Sequence, residues 1–220
     1  MRLRPVGVAA ITLAAAITAS LFAAAPANAE STTTTQTLVS SSCVAQLKDN
    51  LAADHQHPSL EQLKAACAGE VTSTVSQMHL VTGAGARALA KARHLSAAET
   101  ANLVARAENG WVAYQDWREG YKSWLVKEFH EGRTYYDGSK AWVTSYEGYT
   151  GRHICHSGGS SDLFVNVVTR ECTQPEPVSI ADNSYQFEVS ATILGVPVDY
   201  VVGLHAKVDG YGNIDYTTNS

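Results

Sequence analysis

Ten tryptophan and tyrosine residues lie between Trp111 and Tyr149, and their side chains are well suited to bind a ligand. Each ring combines a large apolar surface with one hydrogen-bonding group. If residues 141–146 are extended, Trp142 and Tyr146 share one face of the strand. We predict an exposed aromatic β face that binds a ligand through Trp142, Tyr146, Tyr149 and Trp124. The alternative is that these rings pack in a core, which is the more common role of large apolar side chains.

Cysteine is the second residue type that could carry out chemistry here. The chain has four: Cys43, Cys67, Cys155 and Cys172. An even number in an exported chain indicates disulfides, for which three connectivities are possible. The segments on either side of the gap between Cys67 and Cys155 differ in pattern. We therefore prefer local pairing, Cys43–Cys67 and Cys155–Cys172.

A metal site at His153-Ile154-Cys155-His156 is the competing interpretation of that motif. It lacks the paired C-x-x-C spacing of structural zinc sites, so we predict no metal and no cofactor. We expect His153 and His156 to have hydrogen-bonded roles at the surface. His205, on the polar face of a predicted strand, is expected to be exposed.

Catalytic motifs are weak in this sequence. There is no G-x-S-x-G nucleophile elbow, and the neighbours His156, Ser160 and Asp162 do not resemble a triad assembled from separate elements. Glu128 and Glu147 are the best candidates for a carboxylate pair, but no feature sets them apart from other acids. We assign no catalytic residue. A secreted hydrolase with an acidic or histidine-based site remains the alternative function.

The N-terminus has the pattern of a secretory signal peptide over residues 1–29. Arg2 and Arg4 precede a largely apolar run over residues 6–25, and Ala27-Asn28-Ala29 follows. We predict cleavage and a secreted, extracellular protein that has no membrane association afterwards. Removing Arg2 and Arg4 from the 16 basic and 21 acidic residues lowers the net charge from −5 to −7. That charge argues against a nucleic-acid partner.

The elements that must position these residues divide into two parts. Residues 30–42 are Ser/Thr-rich and predict a flexible leader. Residues 43–118 predict a helical region, in which Ser59 with Gln62 and Ser96 with Glu99 form capping boxes. The segment 111–124 predicts a short helix that gives way to a strand near Ser123.

Residues 119–220 predict an antiparallel β domain. Asp137-Gly138 lies between aromatic and β-branched runs, as in a hairpin. From Val196 to Val208, apolar residues alternate with polar ones at a period of two, which is typical of a half-buried strand. The fold class is therefore α+β, with short disulfide-tied N-terminal helices followed by a β-sandwich-like domain.

The stretch from Tyr135-Tyr136-Asp137-Gly138 through Ala141-Trp142-Val143 to His153-Ile154-Cys155-His156 resembles a group of proteins. These are uncharacterised secreted proteins of high-GC Gram-positive bacteria, and the resemblance covers about the last hundred residues. It implies secretion and a bridged β domain, but no activity and no catalytic residues.

Together these observations favour a secreted, non-enzymatic binding protein. Its partner would be an extracellular glycan, a cell-wall component or a protein. A further possibility is that the helical region is a pro-segment removed after export.

Overall fold

The computed structural model describes residues 31–160 and 165–220. The predicted signal peptide lies outside these residues. The helices of the described residues are α1 (Ser41–Ala53), α2 (Leu60–Ala66), α3 (Gly83–Ala92) and α4 (Ala97–Glu108). Their strands are β1 (Thr32–Val39), β2 (Ala68–Val75), β3 (His79–Leu80), β4 (Ala113–Lys122), β5 (Val126–Tyr136), β6 (Ala141–Trp142), β7 (Ser145–Tyr146), β8 (Tyr149–Thr150), β9 (Arg152–Ser160), β10 (Val165–Cys172), β11 (Ile180–Ile193), β12 (Val196–Asp209) and β13 (Ile214–Asn219).

The strands form two main antiparallel sheets. In the larger sheet the order is β1-β2-β4-β5, with β6 and β9 pairing along the far side of β5 and β3 pairing with the start of β4. The smaller sheet has the order β10-β11-β12-β13, and β7 pairs with β8 in a separate hairpin. The α+β class with antiparallel sheets is therefore confirmed.

Side chains from both sheets share the main core. Tyr121 of β4 contacts Phe187 of β11, with ring centroids 5.8 Å apart. Leu47 and Leu51 of α1 are buried in the same cluster, and α1 lies against β12. The predicted alternation of β12 is confirmed, because the side chains of one face are all buried: Val196, Val198, Tyr200, Val202, Leu204, Ala206 and Val208.

The helices begin where the capping residues predict. Ser59 and Ser96 each accept a hydrogen bond from the N3 backbone N–H, and the Gln62 and Glu99 side chains complete both capping boxes. Helices α3 and α4 pack together over a second cluster that includes Tyr135. No helix within residues 31–160 and 165–220 is long and apolar enough to cross a membrane.

Both preferred disulfides are confirmed. Cys43–Cys67 ties α1 to the end of α2, and Cys155–Cys172 ties β9 to β10. The first links two helices of the N-terminal region, and the second links the two sheets. Each pairing is local in sequence, as predicted.

The predicted flexible leader over residues 30–42 contains a strand instead. Residues 32–39 form β1, which pairs in register with β2 from Thr32–Val75 to Val39–Ala68. Most of its side chains are exposed, so backbone pairing and the β propensity of its threonines hold it in place. The partner strand is distant in sequence, which is why local composition did not reveal it.

The predicted boundary between a helical region ending at residue 118 and a β domain starting at residue 119 is also wrong. Strands β2, β3 and most of β4 lie before residue 119, and β4 runs straight through it. The predicted short helix over residues 111–124 is therefore strand β4. Trp117, Glu119 and Tyr121 are buried at a period of two, while Arg118 and Lys122 are exposed. Both parts of the chain contribute to the larger sheet.

Candidate functional site

The predicted aromatic binding face does not form. Trp142 is 0% exposed, and its Nε1 donates to the backbone oxygen of Tyr149 at 3.1 Å. Tyr149 is also buried, and its hydroxyl donates to the backbone oxygen of Leu103 in α4 at 2.9 Å. The reason is that α3 and α4 cover this face with their own apolar side chains. The rings of Trp142 and Tyr149 therefore pack in a core.

The other two predicted ligand residues lie apart from each other. Tyr146 is partly buried and packs edge-on against Trp142, with ring centroids 5.0 Å apart. Trp124 is 57% exposed and donates from Nε1 to the backbone oxygen of Ala66 at 3.1 Å. It lines a shallow depression with Gly69 and Lys122. The four residues therefore do not form one surface.

A different group of large apolar side chains does converge at the surface. Met78, Leu80, Trp111 and Tyr211 are 54%, 56%, 66% and 76% exposed, and all four line one groove. The groove has a volume of about 650 Å³. Such a cluster makes the groove a candidate binding site, because folded proteins seldom leave large apolar side chains exposed together. We call this the apolar groove.

Short β3 positions the first two of these residues. Met78 directly precedes β3 and Leu80 is its last residue, and both side chains line the groove. His79 points to the opposite side, where its ring stacks on Tyr114 at a centroid distance of 5.0 Å. Trp111 follows the end of α4 after Gly110, whose φ of +69° turns the chain out of the helix.

Two turns form the opposite wall. The Asp209 carboxylate accepts hydrogen bonds from the backbone N–H groups of Tyr211 at 2.8 Å and Asn213 at 2.9 Å, which fixes the turn between β12 and β13. Gly138 in the β5–β6 turn donates its N–H to the backbone oxygen of Gly210 at 2.7 Å. This bond ties the two turns together and holds Tyr211 over the groove.

The polar rim of the groove carries both charges. Arg106 of α4 forms an ion pair with Glu147, and both line the groove. Asp137 also lines it, while its Oδ1 accepts hydrogen bonds from the backbone N–H groups of Ser139 and Lys140. An apolar centre surrounded by a polar rim is the usual arrangement of a protein–protein interface.

A second feature is a row of polar side chains buried across the larger sheet. Ser73 on β2 lies opposite Glu119 on β4, Glu119 lies opposite His130 on β5, and His130 lies opposite Cys155 on β9. Glu119 and His130 are fully buried. The antiparallel register therefore places these four side chains in line on the inner face of the sheet.

Hydrogen bonds connect this row to His153. Glu119 Oε2 lies 3.0 Å from His130 Nε2, and His130 Nδ1 lies 2.9 Å from His153 Nε2. His153 Nδ1 lies 2.5 Å from the backbone oxygen of Thr173. Ser73 Oγ donates more weakly to Glu119, at 3.5 Å. We call Glu119, His130 and His153 the buried relay.

The Thr173 carbonyl fixes the direction of the relay. A carbonyl only accepts, so His153 Nδ1 carries a proton, and a neutral His153 has a bare Nε2. His130 Nδ1 then donates to His153, which leaves the His130 Nε2 lone pair facing Glu119. The remaining proton lies between Glu119 and His130, and a neutral relay has it on the carboxyl group.

Burial favours this neutral form. Burial raises the pKa of Glu119 to about 8, although His205 and Ser73 act in the opposite direction. Burial, assisted by the electrostatic interaction with His205, lowers the pKa of His130 to about 3. Burial also lowers the pKa of His153 to about 4, against the hydrogen bond to Thr173. All three shifts follow from the cost of placing a charge in a low-dielectric interior.

The histidines therefore differ from the predicted surface roles. His153 is buried because β9 presents it to the interior between β5 and the Thr173 segment. His205 is mostly buried and binds Asp182 across the β11–β12 pair, with Nδ1 and Oδ1 3.1 Å apart. His156 stacks on Phe129, with centroids 4.5 Å apart, and keeps a partly exposed position.

The two predicted carboxylate candidates have unrelated surroundings. Glu128 is fully buried, and its carboxylate accepts hydrogen bonds from the Tyr185 hydroxyl at 2.6 Å and Ser157 Oγ at 3.1 Å. Burial raises its pKa despite these bonds. Glu147 lies on the rim of the apolar groove. Glu128 and Glu147 therefore do not face one cleft. The other catalytic grouping considered, His156, Ser160 and Asp162, includes Asp162, which lies outside the described residues.

One cluster has the donor types of a soft-metal site. His153, Cys155 and Cys172 place one nitrogen and two sulfurs within 4.8 Å of one another. The sulfurs, however, are bonded to each other in the Cys155–Cys172 disulfide. In this state they are not thiolates, which are the form of cysteine that binds metals.

The apolar groove and the buried relay were missed by sequence reasoning. The groove takes residues from β3, the end of α4 and two turns, so no local spacing connects them. The relay had one local signal in the sequence, the period-two spacing of Trp117, Glu119 and Tyr121, which lie on one buried face of β4. This spacing did not look like a buried strand, because its middle residue is acidic.

Comparison with known proteins gives no relative for this chain. It matches no protein-family model, no curated protein and no solved structure.

Proposed function

We propose that this protein is a secreted, non-enzymatic binding protein whose apolar groove holds a bulky apolar side chain of a partner protein. The observation that carries the proposal is the joint exposure of Met78, Leu80, Trp111 and Tyr211 around one groove. The aromatic binding hypothesis from the sequence is thus kept, but on other residues.

The chemistry of the groove favours a protein segment over a glycan. Met78 and Leu80 supply apolar contact and no side-chain hydrogen bonds of the kind that sugar hydroxyls need. Methionine, tyrosine and tryptophan are enriched where protein interfaces have their apolar centre. Glu147 is paired with Arg106, so the rim carboxylate of Asp137 is the one that suits a partner in which a basic residue flanks the apolar anchor.

Secretion is supported by two observations. The first 29 residues have a signal-peptide pattern, and the two disulfides are typical of proteins that fold in oxidising compartments. A partner would therefore be met outside the cytoplasm.

The test is a selection from a displayed random-peptide library on the mature protein, with a glycan array in parallel. We expect enriched peptides with a bulky apolar residue beside Lys or Arg, and about a tenfold loss of affinity in Trp111→Ala. Trp124→Ala is the matched control, since Trp124 is similarly exposed but lies outside the groove. Equal losses in both variants, or binding to glycans alone, would overturn the proposal.

A further inference from the structure

The two disulfides have opposite surroundings. Cys43 and Cys67 are both buried in the main core. Cys172 is exposed, whereas its partner Cys155 is half-buried and faces the interior. Thiol–disulfide exchange requires that a thiolate reach one sulfur, and of the two disulfides only Cys155–Cys172 includes a solvent-exposed cysteine.

The Cys155 end of that disulfide contacts the buried relay. Cys155 Sγ lies 3.4 Å from His153 Nε2, the atom that accepts the His130 proton. The segment after Cys172 is held at the same place, because His153 Nδ1 donates to Thr173 and Gln174 Nε2 donates to the backbone oxygen of His153 at 2.8 Å. One cysteine of the bond is therefore exposed to solvent, whereas the sulfur of the other contacts His153 of the buried relay.

We infer that Cys155–Cys172 is a thiol–disulfide exchange site that reacts with small-molecule thiols. The external thiolate attacks Sγ of Cys172 and forms a mixed disulfide there. The bond to Cys155 breaks, and its electron pair leaves on Cys155 Sγ. A second thiolate of the same class attacks the outer sulfur of the mixed disulfide, which releases the oxidised thiol dimer and leaves Cys172 reduced.

The buried relay stabilises the leaving thiolate. The proton of Glu119 moves to His130 Nε2, while the Nδ1 proton of His130 moves to His153 Nε2. Glu119 becomes a carboxylate and His153 an imidazolium beside the Cys155 thiolate, so the total charge of the site stays the same. A cation next to a leaving thiolate lowers its basicity, which speeds its departure. His205 and Asp182 of the smaller sheet, which also act on this relay electrostatically, keep their own pairing.

Mass spectrometry of the folded wild-type protein tests the site without any variant. The protein is incubated with reduced glutathione and the free thiols are then alkylated. We expect Cys155–Cys172 to open at least about tenfold faster than Cys43–Cys67, with the glutathione adduct on Cys172. Equal opening of both bonds, no opening of either, or an adduct mainly on Cys155 would overturn the inference.

Glu119→Gln tests the part played by the relay. Its amide can still donate to His130 Nε2 but has no proton to transfer, so we expect opening at neutral pH to slow about tenfold. Glu131→Gln is the matched control, because it makes the same Glu→Gln substitution next to His130 on the other face of β5, outside the relay. If both variants open at the wild-type rate, the relay does not take part. If Glu119→Gln does not fold, the exchange site is tested by the wild-type protein alone, through which cysteine carries the glutathione adduct. The groove variant Trp111→Ala should open at the wild-type rate, so this test is independent of the binding function.

Discussion

Glu119 Oε2 lies 3.0 Å from His130 Nε2, and neither side chain has any exposed surface. Because the Thr173 carbonyl fixes the protons of His153 and, through it, of His130, this pair shares a single proton. A buried acid and base that together remain neutral avoid most of the cost of burying a charge. The relay is thus compatible with a folded core while it retains a mobile proton.

The shifted pKa values of the relay residues predict that the free energy of unfolding is highest near pH 6.5. Above that pH the native protein keeps the Glu119 proton up to about pH 8, whereas the unfolded chain has lost it, so stability falls as pH rises. Below that pH the unfolded chain protonates both histidines, whereas His130 and His153 in the native protein resist protonation down to about pH 3 and about pH 4, so stability falls as pH falls.

Urea unfolding at several pH values checks this profile. The decline from about pH 6.5 to 8 should be roughly 1 kcal/mol, because the histidines of the unfolded chain, still half protonated at pH 6.5, offset part of the contribution of Glu119. Glu119→Gln should flatten this alkaline side, because an amide does not titrate. A wild-type stability that stays level across this range would contradict the assigned protonation of Glu119.

The two tryptophans Trp142 and Trp111 should behave in opposite ways when truncated. Trp142→Ala removes a fully buried ring and its hydrogen bond, and should cost about 3–5 kcal/mol of unfolding free energy. Trp111→Ala removes an exposed ring and should change it by no more than about 0.5 kcal/mol. Thermal or urea unfolding of both variants compares them directly. A large loss in Trp111→Ala would mean that the groove is part of the core.

Gly210 should be required for the shape of the groove. A Cβ on Gly210 would lie 2.4 Å from the backbone carbon of Ser139, so Gly210→Ala must push the two turns apart. We expect about 1–3 kcal/mol of destabilisation and weaker peptide binding. Gly85→Ala in α3 is the control, since its Cβ meets only an ordinary contact at 3.4 Å and should gain up to about 1 kcal/mol of helix stability. If Gly210→Ala binds the peptide as well as the wild-type protein does, the turn that contains Gly210 is not part of the binding site.

The Cys43–Cys67 disulfide should contribute more to stability than Cys155–Cys172. Their sequence separations of 24 and 17 give similar loop-closure terms, about 3 kcal/mol each. Replacing Cys43 and Cys67 with alanine also leaves small voids in the main core, whereas Cys172 is exposed. Unfolding of the two double-alanine variants under identical conditions would show the difference. A larger loss for the Cys155–Cys172 pair would contradict this ranking.

The sequence predicted those features whose signals are local. The pairing within each cysteine pair, the two capping boxes and the alternation of β12 depend on residues close in the chain, and all were confirmed. Strand β4 was missed because the spacing of four aromatic residues loosely fits a helix: Trp111, Tyr114, Tyr121 and Trp124. The inward side chains of the strand are Trp117, Glu119 and Tyr121, and Glu119 places a carboxyl group where the strand pattern calls for an apolar side chain.

The candidate sites could not be read from the sequence, because each depends on strand register and turn packing between distant segments. Trp142 and Tyr149 looked like surface groups on a strand, yet α3 and α4 fold over them. Tyr211 reaches the groove only because the Gly138–Gly210 hydrogen bond joins two turns that are far apart in sequence.

The tryptophan indole N–H signals in a nitrogen–proton NMR spectrum test the groove most directly. The chain has four tryptophans, at positions 111, 117, 124 and 142, so the signals are few and can be assigned by substitution. On titration with a library-selected apolar peptide, the Trp111 signal should shift progressively while those of Trp124 and buried Trp142 stay in place. A shift of Trp124 with no shift of Trp111 would contradict the assignment of the apolar groove as the binding site.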